Sequence, residues 1–185
     1  MSRAVILVRH AMPEVQPGVA STLWGLSESS REDCVLLAHA LPPGISAIWS
    51  SDERKANETA DVLGLRLGLP VHMDARFAEV DRPPVWDRDY REVAAAYLAG
   101  TREAGWEKPE SVAKRFAAGI ESALAATNGD ILVVNHGLAM TLWLNTAVKL
   151  ENPVSWWQSL TFPDAWRLDL EAQALARTWM AGRAG

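Results

Sequence analysis

Short apolar runs alternate with longer amphipathic segments along most of the chain. An apolar run of about 4–8 residues is too short for a helix and is typical of a strand buried on both faces. On this basis the sequence predicts strands at residues 4–8, 45–49, 71–73, 131–134, 165–170 and 174–180.

Apolar residues at helical spacing fill the segments between these runs. The spacing predicts helices at residues 29–41, 88–98, 110–126 and 137–148, and one more after a cap at Ser51 or Asp52. Residues 12–25, with their prolines and glycines, predict a loop. Residues 75–109 are expected to be irregular outside the helix that they contain.

Strands that alternate with helices predict an α/β fold. We expect a three-layer α/β/α sandwich around a mainly parallel sheet. The length of 185 residues fits a single domain over residues 1–185, with no internal repeat and no low-complexity linker. In such sheets ligands bind beyond the carboxyl ends of the strands, so the residues that follow each strand are the functional candidates.

The net charge of the chain limits which kinds of molecule it is expected to bind. The chain has 18 Lys and Arg against 23 Asp and Glu, a formal net charge of −5, which predicts no nucleic-acid partner and no anionic membrane partner. No apolar stretch reaches the length of a signal peptide or a membrane span, so we expect a soluble cytoplasmic protein. The single cysteine, Cys34, rules out an internal disulfide.

Nine tryptophans are scattered along the chain, and we expect them mainly in the core. The adjacent pair Trp156 and Trp157 leaves open an exposed patch for a partner or a homodimer, although burial is the expectation.

Cations and imidazoles follow three of the predicted strands. They are Arg9 and His10, then Arg54 and Lys55, then His136 and Gly137. Because the carboxyl ends of parallel strands meet at one edge of a sheet, we expect these residues to lie close together.

Two chemistries fit such a set of residues. His10 and His136 could bind a divalent metal with Glu79 or Asp81. Against a metal, the neighbouring cations would repel it, and the sequence holds no closely spaced ligand motif. The same cations suit a phosphoryl group, whose oxygens they would neutralise while a neutral imidazole attacks phosphorus.

Five segments resemble motifs of the histidine phosphatase superfamily, also called phosphoglycerate-mutase-like. Residues 7–11, with Arg9 and His10, resemble its Arg-His-Gly motif. Residues 50–60 resemble its Ser-Ser-Pro-Leu-x-Arg-Ala-x-x-Thr-Ala segment. Residues 77–79 resemble its Leu-x-Glu segment, residues 133–137 its Val-Ser-His-Gly segment, and residues 24–41 its Leu-Thr-x-x-Gly helix.

The resemblance implies a phosphoglycerate-mutase-like fold and assigns roles to the candidates. It implies that His10 is the nucleophile and becomes a phosphohistidine, and that Glu79 is the general acid. Arg9 and His136 complete the implied catalytic set. Arg9, Lys55, Arg54 and Gly137 are the implied phosphate-binding residues, without a metal or cofactor. Apart from the resemblance, a surface carboxylate paired with Arg76 or Arg82 is the favoured interpretation of Glu79.

Three positions depart from the motifs. Ala11 and Ser30 replace glycines, and Lys55 stands where the family has a phosphate-binding arginine. A lysine is a point charge, whereas an arginine offers a planar fork that matches two phosphate oxygens. Either Lys55 suffices, or Arg54 reaches in from a shifted helix start, or the activity is weakened or lost.

The sequence therefore predicts a phosphomonoesterase that releases inorganic phosphate from a small phosphorylated metabolite. A phosphate-ligand-binding or weakly active protein and a phosphomutase stay as alternatives, although the short chain favours a phosphatase. Residues 80–108 are predicted to form a lid or rim. Trp86, Tyr90, Tyr97 and Trp106 would either line an apolar wall there or pack the segment onto the domain.

Overall fold

A computed structural model describes residues 3–84 and 89–182, and within them one mixed sheet is covered by helices on both faces. Its strands are β1 (Ala4–Arg9), β2 (Ile45–Ser50), β3 (Val71–Met73), β4 (Asp130–Asn135), β5 (Asp164–Asp169) and β6 (Ala174–Met180). The α-helices are α1 (Glu28–Ala40), α2 (Arg54–Leu67), α3 (Tyr90–Leu98), α4 (Pro109–Ala125), α5 (Gly137–Val148) and α6 (Pro153–Gln158). Short 3₁₀ turns occur at Ser21–Leu23 and Ala75–Phe77.

The order of the strands brings the candidate residues to one edge. The order is β3-β2-β4-β1-β5-β6, with β1, β2, β3 and β4 parallel and β5 and β6 antiparallel additions. In the register, Arg9 lies opposite Asn135 and Ser50 lies opposite Val134. The residues that follow β1, β2 and β4 are therefore neighbours.

Alternate residues of the central strands supply the two cores, as the pleat requires. On one face Val5, Leu7, Ile131 and Val133 pack in the cluster that contains residues of α3, α4, α5 and α6. On the other face their neighbours in sequence pack with buried residues of α1 and α2. The predicted three-layer α/β/α sandwich around a mainly parallel sheet is confirmed.

Several local predictions need correction. The residue before α2 is Glu53, not Ser51 or Asp52, and its side chain makes no capping hydrogen bond. Ser51 instead accepts the Glu53 N–H through its Oγ at 3.2 Å. Helix α6, capped by Asn152, was not predicted. The predicted helix at 88–98 begins at Tyr90 in the described residues, and residue 88 lies outside them.

The tryptophans are less buried than expected. Trp143 and Trp157 are buried, whereas Trp156 is half-buried against the ring of Trp166. The other described tryptophans are also half-buried, and Trp86 lies outside the described residues. Within the part of the chain that the structure describes, no helix combines the length and hydropathy needed to cross a membrane.

Candidate active site

His10 follows β1 directly and is buried at the carboxyl edge of the sheet. Its backbone N–H donates to the Asn135 carbonyl at 3.0 Å, which extends the pairing of β1 with β4. Its Nδ1 lies 2.7 Å from the carbonyl oxygen of Ala11. Because a carbonyl oxygen only accepts, Nδ1 carries the proton and Nε2 keeps its lone pair.

His136 is the second buried imidazole, and its ring centroid lies 5.0 Å from that of His10. Its Nε2 is 2.8 Å from Ser51 Oγ and 3.5 Å from Glu53 Oε1. Its Nδ1 is buried and has no hydrogen-bond partner among the described residues. An unsatisfied buried polar atom costs about 1–3 kcal/mol, so a ligand atom at this nitrogen would be stabilising.

Both imidazoles are neutral near pH 7. Burial is the largest cause that lowers the pKa of His10 well below its ordinary value, and His136, Lys55 and Arg9 lower it further. Burial likewise lowers the pKa of His136, with Lys55, Arg9 and Arg115 adding to the effect. A neutral ring is the form in which histidine can act as a nucleophile.

Arg9, the last residue of β1, brings a cation to the same place. Its Cζ lies 3.4 Å from the ring centroid of Phe162, and its Nη1 donates to the Leu160 carbonyl at 3.2 Å. Its Nε is buried without a partner among the described residues. Burial lowers the pKa of Arg9 to about 10, and the attraction of Glu79 opposes this effect. The guanidinium therefore stays charged at neutral pH.

Gly137, the first residue of α5, lies against this guanidinium. A Cβ at this position would lie 3.3 Å from Arg9 Cζ and 3.0 Å from Trp157 Nε1. Glycine therefore allows Arg9 to approach the N-terminus of α5 closely.

The carboxylate of Glu79 lies at the N-terminus of α5. Its Oε1 accepts the N–H of Ala139 at 2.9 Å and that of Val80 at 3.0 Å, while Oε2 accepts the N–H of Leu138 at 3.2 Å. The first N–H groups of a helix have no partner within the helix and favour an acidic group. Glu79 is thus fixed beside the helix that follows His136.

The two arginines considered as partners of Glu79 are engaged elsewhere. Arg76 forms an ion pair with Asp74 at 2.6 Å. The guanidinium of Arg82 lies over the ring of Tyr90, with Cζ 4.4 Å from the centroid.

Lys55, in the first turn of α2, is buried together with Glu53. Its Nζ lies 2.5 Å from Glu53 Oε2 and donates to the Ser21 carbonyl at 2.8 Å, and the two side chains are 8% and 7% exposed. Glu53 Oε1 accepts the backbone N–H of Glu79 at 2.8 Å. Glu53 thus connects the second strand end with the segment that carries Glu79.

The side chain of Arg54 lies at the protein surface. Its side chain is 60% exposed, and its Nε donates to Glu58 Oε1 at 2.7 Å. The charge of Lys55 lowers the pKa of His10, whereas Arg54 pairs with Glu58 at the surface.

The four residues considered for a metal are not arranged around one. Glu79 is bound by backbone N–H groups, and Asp81 is exposed. Residues 3–84 and 89–182 contain no group of three or more His, Cys, Asp or Glu side chains placed to hold a metal ion.

Comparison with protein-family models identifies the family of the chain. The model of the Histidine phosphatase superfamily (branch 1) matches residues 5–168. The chain belongs to the histidine phosphatase superfamily. The resemblance read from the motifs is thereby confirmed, and members of the superfamily are phosphatases and mutases.

Solved structures of other proteins with this fold superpose on nearly the whole chain. A mycobacterial glucosyl-3-phosphoglycerate phosphatase is 22% identical with a TM-score of 0.74, covering 99% of this chain and 100% of its own. YhfR of Bacillus stearothermophilus is 17% identical with a TM-score of 0.76, covering 100% and 98%. A phosphoglycerate mutase of Bacillus anthracis is 18% identical with a TM-score of 0.71, covering 95% and 92%. At these identities the likeness shows the fold. A sequence comparison with curated proteins finds no significant match.

Two departures of this histidine phosphatase homologue from the motifs are accommodated locally. Ala11 is fully buried, donates its N–H to Thr59 Oγ1 at 3.1 Å, and is not among the described residues with positive φ. The alanine therefore imposes no strain at a position where the motif has glycine. Ser30 is buried and donates its Oγ to the Met12 carbonyl at 2.7 Å.

Glu53 is the site residue that sequence reasoning missed. It occupies the leucine position of the Ser-Ser-Pro-Leu-x-Arg segment, two residues before the lysine that replaces the arginine. The sequence offered one sign of this role: the leucine and the arginine of the motif are replaced together, by Glu53 and Lys55. An acid and a lysine this close in one motif can form a buried ion pair.

The segment predicted as a lid or rim packs partly into the core. Val93, Ala94 and Tyr97 of α3 are buried, and Tyr97 donates its hydroxyl to the Glu107 carbonyl at 2.9 Å. A cavity of about 590 Å³ opens beside this segment, lined by Ala75, Ala78, Glu79, Asp81, Gly105, Trp106, Glu107 and Arg115.

Proposed function

We propose that the protein is a phosphomonoesterase that acts through a covalent phosphohistidine on His10 and releases inorganic phosphate from a small phosphorylated metabolite. The observation that carries the proposal is the state of His10. It is a buried neutral ring whose Nδ1 is held by a carbonyl, next to a second neutral imidazole. This arrangement leaves Nε2 as the nucleophilic atom.

In the first step, the lone pair of His10 Nε2 attacks phosphorus and the bond to the leaving oxygen breaks. Glu79 enters this step in its protonated form and supplies that proton to the leaving oxygen. Arg9 and Lys55, with His136 Nδ1, stabilise the charge on the phosphoryl oxygens. The unpartnered Arg9 Nε and His136 Nδ1 support this role, because a bound oxyanion would give each a partner.

In the second step, water attacks phosphorus and the bond to His10 Nε2 breaks. The carboxylate of Glu79 accepts a proton from the attacking water, so the residue returns to its starting state. Inorganic phosphate leaves, and the neutral ring of His10 is restored. We also propose that the protein is a single domain and that Gly137 contributes by admitting Arg9 to the phosphoryl site.

The proposed chemistry is tested by turnover of 4-nitrophenyl phosphate. We expect His10→Ala to lower kcat/KM by at least about 10³-fold, because the nucleophile is lost. We also expect wild-type protein quenched in denaturant to carry acid-labile phosphate that His10→Ala lacks. The matched control is His39→Ala, since His39 is exposed on α1. Unchanged turnover in His10→Ala would rule out the covalent route.

A phosphate-ligand-binding or weakly active protein is the second candidate, and the Glu53–Lys55 pair favours it. A cation already bound to a carboxylate at 2.5 Å offers less charge to a phosphoryl group. Binding of inorganic phosphate by the wild type without any turnover would support this alternative. A mutase would instead transfer the phosphoryl group to an added alcohol or phosphoglycerate rather than to water.

A further inference from the structure

The buried carboxylate of Glu53 lies beside two residues that the proposed function places around a bound anion. Its Oε2 is 2.5 Å from Lys55 Nζ, and its Oε1 is 3.5 Å from His136 Nε2. Its side chain is only 7% exposed, so little water screens its charge. The proposed function assigns contact with a phosphoryl oxygen to Lys55 and to the other ring nitrogen of His136, Nδ1.

This carboxylate changes the charge that a bound oxyanion meets. Lys55 and Glu53 together carry no net charge, so the ammonium attracts an oxyanion while the carboxylate repels it. Coulomb energy is proportional to the ligand's charge, so a doubly charged oxyanion is repelled by Glu53 twice as strongly as a singly charged one. In a buried site this difference is large enough to alter binding.

Anchoring of the Glu79 segment does not account for the negative charge of Glu53, which instead faces the ammonium of Lys55. Glu53 Oε1 accepts the backbone N–H of Glu79 at 2.8 Å, and an amide oxygen would accept the same bond. The anchoring of the Glu79 segment therefore needs an oxygen at this position but not a negative charge.

We propose that Glu53 is a specificity-determining residue that lowers the affinity of the site for doubly charged tetrahedral oxyanions relative to singly charged ones. The site therefore favours the dianion of the substrate's phosphoryl group over its monoanion less strongly than it would with an uncharged residue at position 53. This inference rests on the proposed function, since it requires that the oxyanion binds among His10, His136 and Lys55.

Tungstate and perrhenate provide the test, because both are tetrahedral and at neutral pH the first is doubly and the second singly charged. Their dissociation constants are measured by calorimetry on the intact wild-type protein and on Glu53→Gln. We expect Glu53→Gln to bind tungstate at least about tenfold more tightly and perrhenate about threefold more tightly, since the repulsion scales with charge. The preference for tungstate over perrhenate thus rises about threefold.

Asp52→Asn is the matched control. Asp52 is exposed and adjacent to Glu53, so this variant removes the same charge from the same segment outside the site. We expect both dissociation constants to stay within about twofold of the wild type. An equal shift in Asp52→Asn would assign the effect to net charge and overturn the role of Glu53.

Other results also decide the question. An unchanged preference in Glu53→Gln, or weaker binding of both oxyanions, overturns the proposal. Glu53→Asn, which also replaces the carboxylate by an amide oxygen, gives the same comparison if Glu53→Gln does not fold by circular dichroism. Wild-type turnover of 4-nitrophenyl phosphate separates the two failures. An active enzyme with an unchanged preference overturns the role of Glu53 alone, whereas loss of both turnover and oxyanion binding overturns the proposed function.

Discussion

His10 and Glu79 divide the proposed reaction between a nitrogen and a carboxylate that are held in different ways. The ring of His10 is oriented by one carbonyl of its own strand end. The carboxylate of Glu79 is oriented by backbone N–H groups of α5. Both groups are therefore fixed by backbone atoms, which move less readily than side chains when a substrate binds.

Glu79→Gln tests the proton-donor role at the residue scale. We expect kcat/KM for an alkyl phosphate to fall by about 10²–10⁴-fold, because an alkoxide leaves only when protonated. The loss for 4-nitrophenyl phosphate should be much smaller, since nitrophenolate leaves without a proton. The control is Asp81→Asn, at an exposed neighbouring carboxylate. Equal losses for both substrates would contradict general-acid catalysis by Glu79.

Individual site residues differ in how far the sequence could predict their placement. Arg9, His10 and His136 directly follow buried apolar runs, so their place at the sheet edge follows from the parallel topology. Glu53 could not be placed, because an acidic residue before a helix is ordinarily solvent-exposed. Its burial depends on contacts with the neighbouring Lys55 and with the backbone of Glu79, which lies 26 residues further along the chain.

At the scale of elements, α4 fixes the segment that carries Glu79. Arg115 of α4 donates to the carbonyls of Arg76 and Ala78 at 2.8 Å and to that of Glu79 at 2.9 Å. It also forms an ion pair with Glu107 at 2.9 Å. One guanidinium thus joins a helix, the segment 76–79 and the rim.

Arg115→Lys should weaken this connection, because an ammonium cannot reproduce a fork that serves several carbonyls. We expect the free energy of unfolding in urea to fall by about 3 kcal/mol, as charge-assisted hydrogen bonds contribute about 1.5–3 kcal/mol each. The value of kcat should fall as well, since Glu79 loses its support. Arg66→Lys, at an exposed position of α2, is the control. Unchanged stability and kcat would show that segment 76–79 keeps its position without the hydrogen bonds from Arg115.

Long or strongly buried elements were predictable, and short ones were not. Strands β1, β2 and β4 follow from continuous apolar runs, and α5 was predicted with its observed bounds, Gly137–Val148. Helix α6 has only 6 residues, too few to show a helical period. The start of α2 was misplaced because Ser51 and Asp52 both favour capping positions, whereas the chain turns at Ser51 and begins its helix after Glu53.

For the whole molecule, burial of two neutral imidazoles links the candidate site to stability. In the unfolded chain a histidine binds a proton near pH 6.5, whereas burial lowers the pKa of both His10 and His136 well below that value in the folded protein. Below about pH 6.5 the unfolded state therefore binds more protons than the folded state. The sign is fixed by this difference: stability falls as the pH falls.

We expect the free energy of unfolding in urea to drop by about 2–3 kcal/mol between pH 7 and pH 5.5, since each histidine contributes up to about 1.4 kcal/mol per pH unit. Among the carboxylates, burial opposes but does not cancel the hydrogen bonds and ion pairs that lower the pKa of Glu58 and Asp74, so their protonation costs stability at lower pH. Burial raises the pKa of Asp164, which acts in the opposite direction. The change in the free energy of unfolding above pH 5.5 is therefore due mainly to the two histidines.

The double variant His10→Gln/His136→Gln isolates this effect, because glutamine cannot titrate. We expect its free energy of unfolding to stay constant within about 1 kcal/mol over the same window, whatever its absolute stability. The double variant His39→Gln/His72→Gln changes the two exposed histidines and should keep the wild-type slope. The contrary result would be a slope that disappears in His39→Gln/His72→Gln and persists in His10→Gln/His136→Gln. It would show that burial does not keep His10 and His136 neutral. The argument that His10 is ready to act as a nucleophile would then fail.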